Sequence, residues 1–348
     1  MADISNRKGD HIDLAVSGDV GFHKTTTLFE CVRLVHNALP ELAYDDVDLS
    51  TPVLGKRLTA PILIAAMTGG AERAESINLE LAEIAEERGY AFGLGSQRAM
   101  LKNPSLKSTY AVRKVAPSIL LLGNIGIVQA TQMSTDAIAE LVGAVGADAL
   151  CVHLNPAMEL VQPEGDRDFR EGLSTVARLV ADLPVPIVIK ETGCGLSADV
   201  AGRLRALGVE HVDVSGSGGT SWVAVETHRA REDQKDLGEA FWEWGIPTAA
   251  SVGLVDRHGF ETVFATGGVQ SGLDIAKALA LGATVGGIAR PVLQALAAGG
   301  QNGARQLLSR VEQQLRTAFL LTGARTCRDL RRGPRVIVGE LQQWLAQA

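Results

Sequence analysis

Eight times along the chain a short apolar run ends in small, polar or charged residues, and a stretch of helical character follows. The runs cover residues 61–66, 91–95, 119–122, 149–152, 186–189, 211–214, 262–265 and 284–288. A strand buried on both faces reads as a continuous apolar run, and strands alternating with helices build a parallel sheet. Eight such steps predict an α/β protein, a (β/α)8 TIM barrel, in which chemistry gathers at the C-terminal ends of the strands. The polar groups of this chain fall at those ends: Met67, Thr68, Gly69 and Gly70; Ser96, Gln97 and Arg98; Asn124; His153 and Asn155; Lys190 and Glu191; Ser215 and Gly216; Gly267 and Gly268; Ala289 and Arg290.

The remaining sequence is consistent with one domain spanning 1–348. Residues 1–58 carry no barrel repeat and form an N-terminal extension. Residues 293–348 read as C-terminal helices, with Leu307, Val311 and Leu315 at helical spacing, Gly323 as a break and a last short helix over 336–348. Residues 217–261 form a long interval between the sixth and seventh runs, and a long segment on the catalytic face predicts a cover over the site. With 348 residues, 46% hydrophobic, the chain can bury a large core. Its net charge of −7 argues against a nucleic-acid-coating surface. Cys31, Cys151, Cys194 and Cys327 are scattered without metal-like spacing, as expected of reduced thiols. With no long apolar span and a polar, acid-containing N-terminus, the expectation is a cytoplasmic protein without membrane association.

Two glycine clusters, one from Ser215 to Thr220 and one at Gly267 and Gly268, suit a phosphate or simply tight turns. The second leads into a helix opened by Ser271, Gly272, Leu273 and Asp274, whose N-terminus would favour an anion. If the phosphate belongs to a flavin, Met67, Thr68, Ser96, Asn124 and Lys190 should neighbour its ring. Lys190 then supplies positive charge to the reduced ring; the alternative is a salt bridge with Glu191 or another carboxylate. Arg7, Lys8, His11 and Arg98 suggest a diphosphate site, unless the first three are only a solvated terminus. His153 and Asn155 alternate along the fourth strand end, and Glu159 follows close enough to hold a divalent ion on substrate phosphates or to pair with an arginine.

Taken in order, the motifs Arg7–Lys8 with His11, Met67-Thr68-Gly69-Gly70, Ser96-Gln97-Arg98, His153-Leu154-Asn155, Lys190-Glu191-Thr192-Gly193, the run from Ser215 to Trp222 with Glu226, and Gly267-Gly268 resemble type 2 isopentenyl-diphosphate Δ-isomerases over about residues 5 to 340. The resemblance implies an FMN-dependent barrel that interconverts isopentenyl and dimethylallyl diphosphate, with FMN reduced by NADPH and Mg²⁺ on the substrate. It assigns FMN to Met67, Thr68, Ser96, Asn124, Lys190, Ser215, Gly216, Thr220, Gly267, Gly268, Ala289 and Arg290. The diphosphate falls to Arg7, Lys8, His11, Ser96, Arg98, His153 and Asn155, Mg²⁺ to Glu159, and catalysis to His153, Asn155 and Glu226. A homo-oligomer, tetramer or octamer, is also implied. One position departs from the family pattern: Met158 stands where Gln usually precedes the metal-binding Glu. That departure keeps open a paralogue with altered chemistry, either an oxidoreductase or a non-catalytic flavin-binding protein. A 2-hydroxy-acid oxidase would carry a His base with a neighbouring Arg after the sixth strand, where this chain reads Ser217 to Trp222 without either.

Overall fold

In the computed structural model, which describes residues 2–347 with the side chains of residues 2–8, Glu72 and Asp233 outside the described set, eight parallel strands close into a barrel. They are β1 (Ile62–Ile64), β2 (Ala91–Gly93), β3 (Leu121–Gly126), β4 (Ala149–Leu154), β5 (Ile187–Glu191), β6 (His211–Asp213), β7 (Thr262–Ala265) and β8 (Val285–Ile288), with β8 pairing back onto β1. Each predicted run holds one strand. The boundaries move where burial continues past the apolar run: all six residues of β3 are buried, so pairing extends through Gly123 and Asn124 to Gly126. A parallel strand pairs as long as both neighbours continue, whatever the polarity of its last side chains.

Alternating positions along the strands separate two cores. Leu63, Ala65, Ala91, Leu122, Ala149, Cys151, Val188, Phe264 and Val285 fill the barrel interior, while Ile62, Ile64, Phe92, Leu121, Leu150, Ile189 and Val212 pack outward against the helices. The interior cluster also takes in Val53 and Leu58 from an antiparallel hairpin, Thr51–Val53 with Lys56–Leu58. Leu54 and Gly55 turn this hairpin with φ of 49° and 77°, as a two-residue hairpin turn demands. The hairpin packs its apolar face into the interior cluster; the sequence showed no sign of it.

Several other expectations are corrected. Residues 217–261, expected as a cover over the site, hold three helices, Trp222–Arg229, Glu232–Ala240 and Thr248–Asp256. The last of these is the helix between β6 and β7. The C-terminal segment is not wholly helical: Arg335–Ile337 pairs antiparallel with Val32–Leu34, and the last helix starts at Gly339, not at 336. Helix Arg290–Thr322 begins ahead of residue 293, breaks at Gly299 and Gly300, and ends at Gly323 in the left-handed region. The N-terminal extension opens with a helix, Ala2–Ser17, rather than a solvated tail. Arg290 anchors that helix by donating to the carbonyls of Ala15 (2.8 Å) and Gly18 (2.7 Å).

Candidate active site

The strand register sets His153, Lys190 and Asp213 side by side on β4, β5 and β6, one level above the apolar interior. This layer opens into a cavity of about 710 Å³ at the C-terminal mouth, within the size range of small-molecule and cofactor sites. His153 Nδ1 lies 2.8 Å from Asn124 Oδ1. Because that oxygen only accepts, Nδ1 carries a proton and the contact fixes the orientation of the ring. Asn124 is itself fixed: its backbone N–H donates to the buried Gln97 and its side chain donates to the Leu94 carbonyl.

Lys190 forms no salt bridge with the Glu191 carboxylate, although its ammonium donates to the Glu191 backbone carbonyl at 2.5 Å. Neighbouring residues on a strand face opposite sides, and the Glu191 carboxylate instead accepts the backbone N–H groups of Thr192 and Cys194. Burial pushes Glu191 up to about 7, against those N–H groups and Lys190, which pull it down. The counter-charge to Lys190 is Asp213, 4.0 Å away and 3% exposed. Burial raises the Asp213 pKa, opposed by Lys190 and by the Thr266 hydroxyl, which donates to it at 2.6 Å. Asp213 was absent from the sequence-derived site, although it sits two residues before Ser215, at the end of β6.

The two glycine clusters lie against each other. A Cβ on Gly267 would meet the Gly216 carbonyl oxygen at 2.2 Å, and one on Gly219 would meet the Gly268 nitrogen at 2.3 Å. Gly267 also has φ of 94°, a conformation costly for any side chain. Gly267, Gly268, Thr220, Ala289 and Arg290 line the cavity beside Met67, Thr68, Ser96, Asn124, Lys190 and Ser215. Gly216 does not: it packs on Thr248, whose Cα lies 2.5 Å from where its Cβ would be. The helix Gly272–Ala280 does not present a vacant N-terminus either. Asp274 accepts from the N–H groups of Gln270 and Ser271, and Gln314 accepts from Gly272. The glycine-walled end therefore faces the loop after β7 and the start of the helix at Arg290. Arg290, spent on the N-terminal helix, contributes a wall more than a directed donor.

At the opposite side, Glu159 is 6% exposed on helix Pro156–Val161. It accepts the Asn155 side-chain amide (2.9 Å) and the Asp166 N–H (2.9 Å) rather than pairing with an arginine. Asp166 also accepts from Gln129 (2.8 Å) and lies 3.6 Å from Arg98, two partners the sequence did not suggest. Ser96, Arg98, Gln129, His153, Asn155, Glu159 and Gln162 all line this end. His11, Ile12 and Ala15 of the N-terminal helix complete the wall. Glu226 does not reach the cavity. It is fully buried behind His11, 2.9 Å from its Nε2, and accepts from Arg229 at 2.7 Å. Burial would raise its pKa, but His11 and Arg229 outweigh it and hold the carboxyl below its ordinary value. Glu226 thus seats His11, which stands edge-on to Trp222 at 5.4 Å. The helix carrying Arg7 and Lys8 borders the cavity through His11, but their side chains lie outside the described residues.

The residues present fit a flavin mononucleotide. Thr68 Oγ1 and Thr192 Oγ1 are buried without hydrogen-bond partners beside the cavity, a glycine-lined wall lies at one end, and a buried lysine lies on the mouth's floor. Ser215, at φ of 37°, is held in a strained conformation by the N–H groups of Gly193 and Gly195 on its carbonyl.

The chain matches the model of the FMN-dependent dehydrogenase family over residues 2–154 and 155–336. It is 45% identical to the isopentenyl-diphosphate delta-isomerase of Methanothermobacter thermautotrophicus, covering 99% of this chain and 96% of that one. The enzymes of the same name from Thermococcus kodakarensis and Methanosarcina barkeri are 43% and 41% identical, covering 98% and 100% of this chain and 93% and 96% of theirs. Among solved structures, a mandelate oxidase variant with (S)-mandelic acid superposes with a TM-score of 0.67 at 20% identity, covering 97% of this chain and 98% of that one. At that identity the likeness concerns the fold alone.

Proposed function

The chain belongs to the FMN-dependent dehydrogenase family and, within it, to the isopentenyl-diphosphate delta-isomerases, and on that premise we propose that it interconverts isopentenyl and dimethylallyl diphosphate using FMN reduced by NADPH and Mg²⁺ on the diphosphate. The observation that carries this reading is that one cavity joins the glycine-walled, Lys190-bearing end to an end built from Arg98, His153, Asn155 and the buried carboxylate of Glu159.

When bound and reduced, FMN would supply an electron-rich ring and an exchangeable proton. Lys190 brings positive charge that favours the anionic reduced ring, and Asp213 keeps the ammonium in place. Met67, Thr68, Ser96, Asn124, Ser215, Thr220, Gly267, Gly268 and Ala289 are the residues that would hold the cofactor, with Arg290 bracing the wall and Gly216 supporting the loop from behind. At the substrate end Arg98 and His11 bind the diphosphate, together with Arg7 and Lys8 and with Ser96. Glu159, oriented by Asn155, would hold Mg²⁺ with substrate oxygens. His153, its ring held by Asn124, would contact the diphosphate and take part in catalysis. Glu226 acts through His11, by seating its ring. Phe22, Met158 and Trp222 provide apolar surface for the prenyl chain and keep water from a carbocation-like centre. A homo-oligomer, tetramer or octamer, in the cytoplasm is part of the same proposal, to be read by light scattering and fractionation. Among the described residues no helix is long and apolar enough to cross a membrane.

The test is anaerobic incubation of the FMN-reconstituted protein with NADPH, Mg²⁺ and isopentenyl diphosphate. Dimethylallyl diphosphate should appear, and should not appear when FMN or the reductant is left out. Product that forms equally without flavin would refute the proposal.

Two variants probe the substrate end. Arg98→Ala should raise KM for isopentenyl diphosphate by roughly tenfold or more, since a charge-assisted contact contributes about 1.5–3 kcal/mol, while the flavin spectrum stays as it is. An unchanged KM would leave Arg98 as a structural partner of Asp166. Met158→Gln should alter kcat by less than about tenfold, or 1.4 kcal/mol, because the thioether packs against apolar substrate and takes only a long contact from Asn155, at 3.8 Å. A gain of tenfold or more would mark Met158 as the site of an impaired proton relay.

A further inference from the structure

At the N-terminal end of the barrel, opposite the cavity, His211 opens β6, and Glu210 and Glu261 immediately precede β6 and β7. A ring nitrogen of His211 and one carboxylate oxygen from each glutamate lie within 4.8 Å of one another. The backbone fixes this meeting: His211 pairs with Thr262 in register, and the Glu210 carbonyl accepts the N–H groups of Glu261 (2.9 Å) and Thr262 (3.2 Å). The histidine is also short of a partner of its own. His211 is 6% exposed, and its Nδ1 is sealed from solvent with no hydrogen-bond partner, a costly arrangement for a buried polar atom. Neither glutamate takes part in an ion pair among the described residues, so two negative charges face one imidazole without compensation.

We propose that Glu210, His211 and Glu261 form a binding site for a divalent transition-metal ion of the zinc class, separate from the active site. One imidazole and two carboxylates leave a fourth position for water in a tetrahedral shell, and the imidazole selects zinc over magnesium. Donors around tetrahedral zinc stand about 3.3 Å apart, a distance the two exposed glutamates reach by changing rotamer. An ion here would join the starts of two adjacent barrel strands and stabilise the folded state by mass action. The site is independent of the isomerase reading.

The experiment is equilibrium dialysis of Zn²⁺ against the FMN-reconstituted full chain in excess Mg²⁺, for the natural sequence and the Glu210→Gln, Glu261→Gln and Glu159→Gln variants. Both rim glutamates are exposed, so their amides should fold whatever becomes of a His211 substitution. The expected result is one zinc equivalent per chain, with Kd weakened at least tenfold in Glu210→Gln and in Glu261→Gln and unchanged in Glu159→Gln. X-ray absorption of the zinc complex should contain a single imidazole. The proposal is overturned if no zinc is retained, if both rim variants bind within tenfold of the natural sequence, or if Glu159→Gln removes the ion instead.

Discussion

Glu159→Gln is expected to lower isomerase activity at limiting Mg²⁺ by on the order of a hundredfold, or about 2.7 kcal/mol. The amide keeps the volume of the carboxylate and one acceptor oxygen for the Asn155 amide or the Asp166 N–H, so the helix turn between 155 and 166 should remain folded. What it removes is the negative charge that a magnesium–diphosphate complex needs in a cavity otherwise rich in cations. The Mg²⁺ concentration for half-maximal rate should therefore rise at least tenfold, and saturating Mg²⁺ should recover most of kcat. Activity that falls without any change in the Mg²⁺ dependence would make Glu159 a scaffold for Asn155 rather than a metal ligand. Flavin absorbance serves as the control, because Glu159 stands at the substrate end.

Lys190→Ala should have the second large effect, and it should appear in the cofactor. The removed ammonium stands 4.0 Å from Asp213, with little solvent to screen either group. Affinity for reduced FMN should fall by roughly ten- to a hundredfold more than affinity for oxidised FMN, which lowers the bound midpoint potential by about 30–60 mV for a two-electron couple. Without the cation, the already raised pKa of Asp213 climbs further. Lys190→Arg retains the charge and should recover most of the potential, which separates electrostatics from packing. Equal weakening of both redox forms would assign Lys190 to structure alone.

The barrel was legible because a doubly buried strand leaves an unbroken apolar run, and eight such runs admit few other closures. The functional mouth was legible for the same geometric reason: residues just beyond an apolar run emerge at the C-terminal rim, which located Thr68, Ser96, Asn124, His153 and Lys190. Partners drawn from elsewhere in the chain were not. Asp213 sits inside an apolar run and reads as a flaw in it until the register sets it beside Lys190. Asp166 and Gln129 come together from segments 37 residues apart. Glu226 looked like a catalytic acid because the motif carries it, yet it is buried behind His11, and only the fold reveals that order. The hairpin over 51–58 escaped notice because three-residue strands hold too little alternation to count. The glycines of the two clusters answer to each other's backbone as well as to any phosphate, a contact between loops some 50 residues apart that no local pattern encodes.

The central claim is that this cavity moves a double bond without net oxidation, and turnover per reducing equivalent tests it most directly. Protein reconstituted with FMN is reduced anaerobically with a single measured equivalent of NADPH, then given excess isopentenyl diphosphate and Mg²⁺ in D₂O. The account predicts many molecules of dimethylallyl diphosphate for each NADPH oxidised, deuterium in the product, and flavin still reduced at the end. Product that stops at one equivalent per NADPH, or flavin that reoxidises in step with substrate loss, would contradict it and make the protein an oxidoreductase.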